Sequence, residues 1–229
     1  MENIELYDAA NNMMLEARDS VGVQRFGLMS NFAWYDDPKR MAFHFSRYKF
    51  VSKMLAGKKN VLEIGCADAF GTRLVVQEVK QLTAIDIEPS FIADVNDRMC
   101  DKWAFRALTH DILSGPIPNE KFDGIYSLDV LEHINEEYED RFMQSIVDSL
   151  SNEGAVIIGM PSLESQQYAS PASKMGHVNC KSGDNLKHFL EKYFHQVFLF
   201  SMNDEVVHTG YHRMAHYLIG LCCMKKMAG

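Results

Sequence analysis

The chain has 229 residues, of which 47% are apolar and 24% charged, and its 31 acidic and 23 basic side chains give a formal charge of −8. That length is enough for one α/β domain with a buried core and too short for two domains of ordinary size. The acidic balance argues against nucleic acid or an anionic membrane as the main partner.

The cysteines and the first residues predict a cytoplasmic protein. Five cysteines without a Cys-x-x-Cys pair indicate reduced thiols, with neither a disulfide framework nor a zinc site. Residues Met1 to Leu6 carry acids where a signal peptide would carry basic residues, and no apolar run approaches the roughly 20 residues needed to cross a bilayer. Neither secretion nor membrane insertion is expected.

Residues 1–56 predict a helical segment in front of the main domain. Its middle holds an aromatic cluster of Phe26, Phe32, Trp34 and Tyr35. Such a cluster is typical either of a helix that packs on the domain edge or of a lid over a ligand. A further helix is expected from Asp37-Pro38, a capping carboxylate followed by proline.

The stretch from Asn60 to Thr72 is the part of the sequence that points most directly to a ligand. A short apolar run gives way to helical spacing, which predicts a strand, a tight turn and a helix. Glu63 supplies a carboxylate at the end of the strand. Within the turn every second residue is small enough for a ligand to approach the backbone, namely Gly65, Ala67, Ala69 and Gly71.

Two further acids close the next predicted strands. Asp86 follows Gly65 by 21 residues, about where a nucleotide-binding βαβ unit carries its ribose-binding carboxylate. Asp111 closes the third strand. The Gly-x-Gly-x-x-Gly fingerprint of dinucleotide-binding proteins is absent, because Phe70 stands where its third glycine belongs.

Strands and helices alternate as far as Pro161, which predicts a parallel sheet covered on both faces. Residues 162–180 show no clear period, and a loop of that length in a compact domain usually has a function. The last two predicted strands, 196–201 and 215–224, leave no room for a crossover helix and should pair antiparallel. We therefore expect one Rossmann-like doubly wound α/β sheet of seven strands, mostly parallel, with the last strand antiparallel.

The order of these motifs resembles that of the class I S-adenosylmethionine-dependent methyltransferases. The resemblance covers about residues 40–160 and includes Phe122 to Ile134, Phe-Asp-Gly-Ile-Tyr-Ser-Leu-Asp-Val-Leu-Glu-His-Ile. This segment is similar to the fourth-strand motif of the small-molecule methyltransferases related to those of ubiquinone biosynthesis. Ala67 and Ala69 depart from the family's glycines, and each adds one methyl group that could shift the cofactor slightly.

The resemblance implies S-adenosylmethionine as the cofactor. In this family the loop after the first strand holds the methionine part, the second acid holds the ribose hydroxyls and the third contacts the adenine amine. The implied cofactor-binding positions are Glu63, Gly65, Ala67, Gly71, Asp86, Ile87, Asp111, Ile112 and Leu128. Arg47, on the predicted helix, is either a further contact, to the cofactor carboxylate, or a solvated side chain.

The chain is expected to form a single methyltransferase domain in three parts. Residues 1–56 are the N-terminal helical or lid segment, 57–160 the cofactor-binding core, and 161–229 the acceptor-side loops with the C-terminal strands.

Methyl transfer from a sulfonium requires an aligned acceptor and, where necessary, a group that removes its proton. The candidates are Asp129 and His133, which share a face if a helix begins there, and His177 in the long loop. The alternative for His133 is a structural histidine that braces the next helix. Glu132 is expected to be a solvated helix residue.

The loop 162–180 and the connection 203–213 should both lie at the cofactor edge of the sheet. They would bring His208, His212 and Arg213 to the acceptor, which suits a small anionic molecule. The alternative is that these side chains are solvated or pair with Asp204 and Glu205. Tyr35 of the N-terminal segment is a fourth candidate for contact with the acceptor.

No metal site is expected, because Gly210 interrupts the spacing of four between His208, His212 and His216. The expected function is methyl transfer to a small polar acceptor that can be anionic, at oxygen rather than nitrogen, by a monomer or homodimer. Three alternatives remain: an N-methyltransferase, a protein or nucleic-acid methyltransferase, and a non-catalytic cofactor-binding or scaffold protein.

Overall fold

The computed structural model describes residues 9–226, and its strands form one mixed sheet in the order β3-β2-β1-β4-β5-β8-β6-β7. The strands are β1 Val61–Ile64, β2 Leu82–Asp86, β3 Arg106–Thr109, β4 Phe122–Leu128, β5 Leu150–Pro161, β6 Phe194–Asn203, β7 Val206–His208 and β8 Tyr217–Lys225. Strands β1 to β5 pair parallel, whereas β8 runs antiparallel between β5 and β6.

The sheet confirms the predicted fold class and adds one strand to it. The connection after β6 folds back as a hairpin, in which β7 pairs antiparallel with β6 from Ser201↔His208 to Asn203↔Val206. Asp204 in the turn has φ 49, a left-handed conformation that aspartate tolerates better than most residues. The predicted pairing of the last two long strands holds, because β8 lies against β6.

Residues 9–226 contain eight α-helices, and those that pack on the sheet give each face its own core. They are α1 Ala9–Val21, α2 Leu28–Asp36, α3 Lys39–Met54, α4 Thr72–Val76, α5 Pro89–Arg98, α6 Glu136–Ser149, α7 Pro171–Gly176 and α8 Gly183–Glu191. Successive residues of a strand face opposite sides, so Ile125 packs with α6 and α8 while Tyr126 packs with α3, α4 and α5. Each such fully buried side chain stabilises the fold by about 1.5–3 kcal/mol.

Of the N-terminal helices, α3 packs on the sheet, whereas α1 and α2 contribute no residue to either core of the described part of the chain. Helix α3 begins at Lys39, one residue after the predicted first position, and the Lys39 N–H donates to Asp37 Oδ1 at 3.3 Å. Nothing within residues 9–226 forms a helix long and apolar enough to cross a membrane. The prediction made from Met1 to Leu6 lies outside the described residues.

Candidate active site

The turn between β1 and α4 adopts a conformation that most side chains disfavour. Gly65 has φ 76, and a Cβ there would lie 2.2 Å from Cγ2 of Val130. Ala67 and Ala69 have φ 46 and 49, in the left-handed region that costs a residue with a Cβ roughly 1–2 kcal/mol. The turn therefore holds two alanines in a conformation that glycine adopts more easily.

Asp86 fastens this turn to the end of β2. Its carboxylate is 8% exposed, with Oδ2 accepting the Ala67 N–H at 2.8 Å and Oδ1 accepting the Glu88 N–H at 2.9 Å. A carboxylate oxygen can accept more than one hydrogen bond, so both retain capacity for a diol. The remaining acceptor positions of the carboxylate fit the two ribose hydroxyls of S-adenosylmethionine.

The other predicted positions on the adenine side, Ile87, Asp111 and Ile112, differ in exposure. Asp111 Oδ1 accepts the Leu113 N–H at 2.8 Å, and the adjacent His110 N–H donates to the Asp86 backbone oxygen at 2.9 Å. The structure thus places the two acids at neighbouring strand ends. Ile87 is 65% exposed beside them, whereas Ile112 is buried in the core at 6%.

Glu63 braces the turn from inside the protein. Its side chain is 1% exposed and accepts hydrogen bonds of 2.6 Å from the hydroxyls of Tyr48 and Thr72. Burial raises the pKa of this carboxyl from 4.5 to about 7, although the two hydrogen bonds act in the opposite direction. Any contribution of Glu63 to cofactor binding is expected to pass through the loop that it holds.

The raised pKa of Glu63 predicts a pH-dependent stability. Between pH 4.5 and 7 the unfolded chain loses this proton while the folded chain keeps it, so stability falls as pH rises and levels off above pH 7. The loss is about 3 kcal/mol. The Glu63→Gln variant cannot lose this proton, so its free energy of unfolding should not show this fall. Measured in urea, the free energy of unfolding of the variant relative to that of the wild type should therefore rise from pH 4.5 to pH 7.

The matched control for that measurement is Glu153→Gln, which changes an exposed glutamate on β5. It should follow the wild-type pH profile. Parallel profiles for the wild type and Glu63→Gln would contradict a protonated Glu63 in the folded protein.

A cavity of about 990 Å³ opens next to the glycine-rich turn. Helices α2 and α3 contribute the apolar side chains Met29, Phe32, Met41 and Phe43 to its lining, together with polar ones such as Asp36 and Arg40. A second part of the lining, the polar wall, holds Asp129, Glu132, His133 and His177. Seven of the predicted site residues line the cavity, namely Gly65, Ala67, Leu128, Arg47, Asp129, His133 and His177.

Helix α2 is docked on the turn by Asp68, a residue that the sequence analysis missed. Asp68 is 3% exposed, and its Oδ2 accepts the Ser30 N–H in the first turn of α2 at 2.6 Å. A Cβ on Gly27 would lie 2.4 Å from Cβ of Asp68, so glycine permits this contact. The placement puts α2 over the cavity, as a lid would lie.

Arg47 is engaged by the protein. Its Nη1 donates to both carboxylate oxygens of Asp129, at 3.0 and 2.7 Å, and its guanidinium lies 3.7 Å from the ring centroid of Tyr217. Its side chain is 16% exposed. The alternative of a solvated Arg47 is wrong. Its contact with the cofactor carboxylate stays a prediction, and in the structure its partner is Asp129.

Breaking this ion pair should destabilise the fold. Arg47→Met keeps the apolar volume over Tyr217 but leaves Asp129 without its cation, with an expected loss of about 1.5–3 kcal/mol. The double variant Arg47→Met/Asp129→Asn has no unpaired charge and should recover part of the loss. The measurement is urea unfolding of the wild type, both single variants and the double variant, which together give the coupling energy between Arg47 and Asp129. If the two single losses of stability simply add up in the double variant, the ion pair makes no such contribution.

The polar wall brings together three side chains that the sequence analysis treated separately. The nearest ligand atoms of Glu132, His133 and His177 all lie within 4.8 Å of one another. His133 Nδ1 is 2.9 Å from the Gly176 carbonyl oxygen. The rings of His133 and His177 pack edge to face, with their centroids 5.1 Å apart. The predicted candidates His133 and His177 therefore form one cluster.

The expectation of a solvated Glu132 is wrong. Its side chain is 0% exposed, and neither carboxylate oxygen has a hydrogen-bond partner within residues 9–226. Burial raises its pKa well above the usual value, and the nearby Asp129 adds to the rise. The shared helical face predicted for Asp129 and His133 is also wrong, because Leu131–His133 is a 3-10 turn and α6 begins only at Glu136.

The predicted acceptor-binding residues do not line the cavity. His208 Nε2 is 2.9 Å from Asn203 Oδ1, while His212 and Arg213 lie 3.3 and 3.6 Å from the Asp184 carboxylate. Pairing with an acid was the alternative for this group, but the acid is Asp184 at the start of α8. Tyr35 is 86% exposed and also lies outside the cavity lining.

Comparison with known proteins agrees with this geometry. Residues 62–158 match the model of the family described as "Methyltransferase domain". A probable S-adenosylmethionine-dependent methyltransferase of Mycobacterium tuberculosis is 25% identical over 122 residues, which cover 52% of this chain and 43% of that protein. The match thus spans less than half the length of this curated relative.

Two solved structures share the fold. The N-methyltransferase NodS of Bradyrhizobium japonicum WM9, in complex with S-adenosyl-L-homocysteine, is 20% identical with a TM-score of 0.63, covering 85% of this chain and 92% of that one. The DhpI-SAM-HEP complex is 14% identical with a TM-score of 0.60, covering 96% and 99%.

Residues 62–158 thus resemble a methyltransferase domain, and the chain has the Rossmann-like fold of methyltransferases. S-adenosylmethionine is the methyl donor that these comparisons support. These relatives give no specific link to ubiquinone biosynthesis, so that part of the resemblance stays a prediction.

Proposed function

We propose that the protein transfers a methyl group from S-adenosylmethionine to a hydroxyl oxygen of a small polar molecule held in the 990 Å³ cavity. The observation that carries the proposal is that one cavity joins the cofactor turn, Gly65 to Asp68, to the polar wall at His133 and His177. Cavities of roughly 300–1,000 Å³ are the size range of small-molecule sites.

The walls of the cavity suit an acceptor with one apolar and one polar end. The side chains from α2 and α3 offer an apolar surface, and the histidines of the polar wall offer ring nitrogens. Gln166 and Gly176 accept hydrogen bonds at the Nδ1 atoms of His177 and His133, so the Nε2 atoms carry the free lone pairs. A free imidazole nitrogen can take the proton of a hydroxyl.

The transfer itself needs little else from the protein. S-adenosylmethionine supplies a methyl group on a positively charged sulfur; as the acceptor oxygen bonds to that carbon, the carbon–sulfur bond electrons return to sulfur and the hydroxyl proton leaves to the polar wall. The turn at Gly65 fixes one reactant and the cavity aligns the other, which is where most of the rate gain is expected.

A strongly anionic acceptor fits this cavity less well than a neutral one. Arg47 is bound to Asp129, and Arg40, at the cavity rim, pairs with Asp36 at 2.8 Å. His212 and Arg213, which favoured an anion in the sequence, face Asp184. We therefore place a neutral hydroxyl compound ahead of a carboxylate or phosphate.

The proposal is tested with S-adenosylmethionine carrying a labelled methyl group. The protein is incubated with the label and a metabolite extract of cells that naturally express it, and the label is followed into small molecules, protein and nucleic acid. Label in a small O-methylated compound supports the proposal. Asp86→Ala, which should lose the cofactor, is the negative control.

Other fates of the label overturn it in distinguishable ways. An N-methylated product would replace oxygen by nitrogen as the acceptor atom, and label in macromolecules would remove the small-molecule acceptor. Absence of transfer from a protein that binds S-adenosylhomocysteine normally would favour a non-catalytic binding protein.

A further inference from the structure

Glu132, His133 and His177 have the composition of a metal-binding site. Two imidazoles and one carboxylate are ligands that zinc, iron, cobalt and manganese accept in proteins. Bonds of about 2.0–2.2 Å put two ligand atoms of one ion up to about 4 Å apart. The ligand atoms of the three side chains lie within 4.8 Å of one another, which is close to that spacing.

The buried carboxylate is the observation that points to a missing cation. Glu132 is 0% exposed, and both its oxygens lack a hydrogen-bond partner among the described residues. A buried carboxylate without a partner is costly, and buried charges in proteins are normally paired or coordinate metals. The neighbouring cation, Arg47, is already bound to Asp129.

Both histidines have one ring nitrogen held by a hydrogen bond, as metal-binding histidines usually do. A metal-binding histidine typically donates its second ring N–H to a carbonyl or carboxylate, which fixes the tautomer. The Gly176 carbonyl accepts only, so His133 Nδ1 donates at 2.9 Å. The Gln166 amide nitrogen donates to the Ser162 oxygen at 3.1 Å, which leaves its Oε1 to accept from His177 Nδ1 at 2.8 Å.

The backbone holds the cluster together from both sides. The carbonyl oxygen of Glu132 accepts the N–H groups of Val178 and Asn179 at 2.8 and 3.0 Å. These bonds fasten the segment after α7 to the 3-10 turn that carries Glu132 and His133. His177 is therefore fixed beside the other two side chains by main-chain contacts next to it.

We propose that Glu132, His133 and His177 bind one divalent transition-metal ion in the wall of the cavity. No metal site was expected from the sequence, because only the histidines after β6 had a spacing that suggests metal ligands and Glu132 was expected to be solvated. Three protein ligands leave at least one coordination position open toward the cavity.

A role in catalysis for this ion rests on the proposed function. In the open position the ion would hold the acceptor hydroxyl and lower its pKa, so that the proton passes to solvent water and the oxygen becomes the better nucleophile. His133 then acts as a ligand, and the free imidazole base of the metal-free site is not needed.

The site is tested by metal binding alone, without cofactor or acceptor, so a negative result leaves the methyltransferase proposal intact. The full chain is stripped with a chelator and titrated with Co²⁺ by calorimetry and absorption spectroscopy. We expect one equivalent bound with nitrogen and oxygen ligands, and loss of that binding in Glu132→Gln and His177→Ala. His188→Ala, an exposed histidine on α8, should bind as the wild type does.

A further variant and a further measurement distinguish loss of metal binding from loss of folding. Gln166→Leu removes only the partner of His177 Nδ1 and should lower Co²⁺ affinity roughly 10–100-fold. Co²⁺ should also raise the Tm of the wild type but not that of Glu132→Gln. Equal affinity of the wild type and Glu132→Gln, binding through thiolates, or no binding of Co²⁺, Mn²⁺ or Zn²⁺ would overturn the site.

Discussion

Replacing His133 by alanine is expected to lower the turnover of methyl transfer by roughly 10²–10⁴-fold, the range typical of losing a group that handles a proton. His133 lines the cavity, and its Nδ1 is held by the Gly176 carbonyl oxygen, which leaves Nε2 free for a proton or a ligand. The loss is expected whether the imidazole takes the proton or holds a metal ion that would lower the pKa of the acceptor hydroxyl. Turnover is measured by release of S-adenosylhomocysteine with the acceptor identified by labelling.

The affinity for S-adenosylhomocysteine separates this role from a structural one. It should be nearly unchanged in His133→Ala, because the cofactor turn and Asp86 are untouched. A variant that loses both turnover and cofactor affinity, or that unfolds, would show His133 to be a brace for the 3-10 turn. Unchanged turnover would exclude His133 from the chemistry.

Replacing Asp86 by alanine is expected to weaken cofactor binding by at least tenfold. Two hydroxyls bound to one carboxylate make charge-assisted hydrogen bonds worth about 1.5–3 kcal/mol each. The change also frees the N–H of Ala67 in the turn, which Asp86 accepts at 2.8 Å. Calorimetry with S-adenosylhomocysteine measures the affinity directly.

The matched control for Asp86→Ala is Asp97→Ala. Asp97 is an exposed acid on α5 whose surface ion pair with Arg25 is expected to contribute little to stability. It should leave the affinity unchanged. An Asp86→Ala variant that binds as tightly as this control would remove Asp86 from the cofactor site.

The parts of the site that the sequence predicts are those fixed by the strand order. In a parallel sheet the residues after the strands meet at one edge, so the turn at Gly65 and the acids Asp86 and Asp111 could be placed from their positions in the sequence. The family resemblance added the cofactor. The antiparallel β8 followed from the length of the last connection alone.

The parts that the sequence did not predict depend on departures from regular geometry. The 3-10 turn before α6 interrupts the helical period, and this turned Glu132 inward against expectation. The partner of His212 and Arg213 is Asp184, which is distant in sequence and meets them only through the packing of α8. Neither the buried position of Glu132 nor the pairing with Asp184 produces a periodic pattern in the sequence from which it could be predicted.

The left-handed alanines of the cofactor turn affect when the turn becomes ordered. Alanine has fewer conformations than glycine in the unfolded chain, a difference of about 0.4–1 kcal/mol, and here it is held at φ 46 and 49 by the folded protein. The freedom of this segment is thus lost when the protein folds. Binding then meets a preorganised surface and does not have to restrict the backbone of Ala67 and Ala69 a second time.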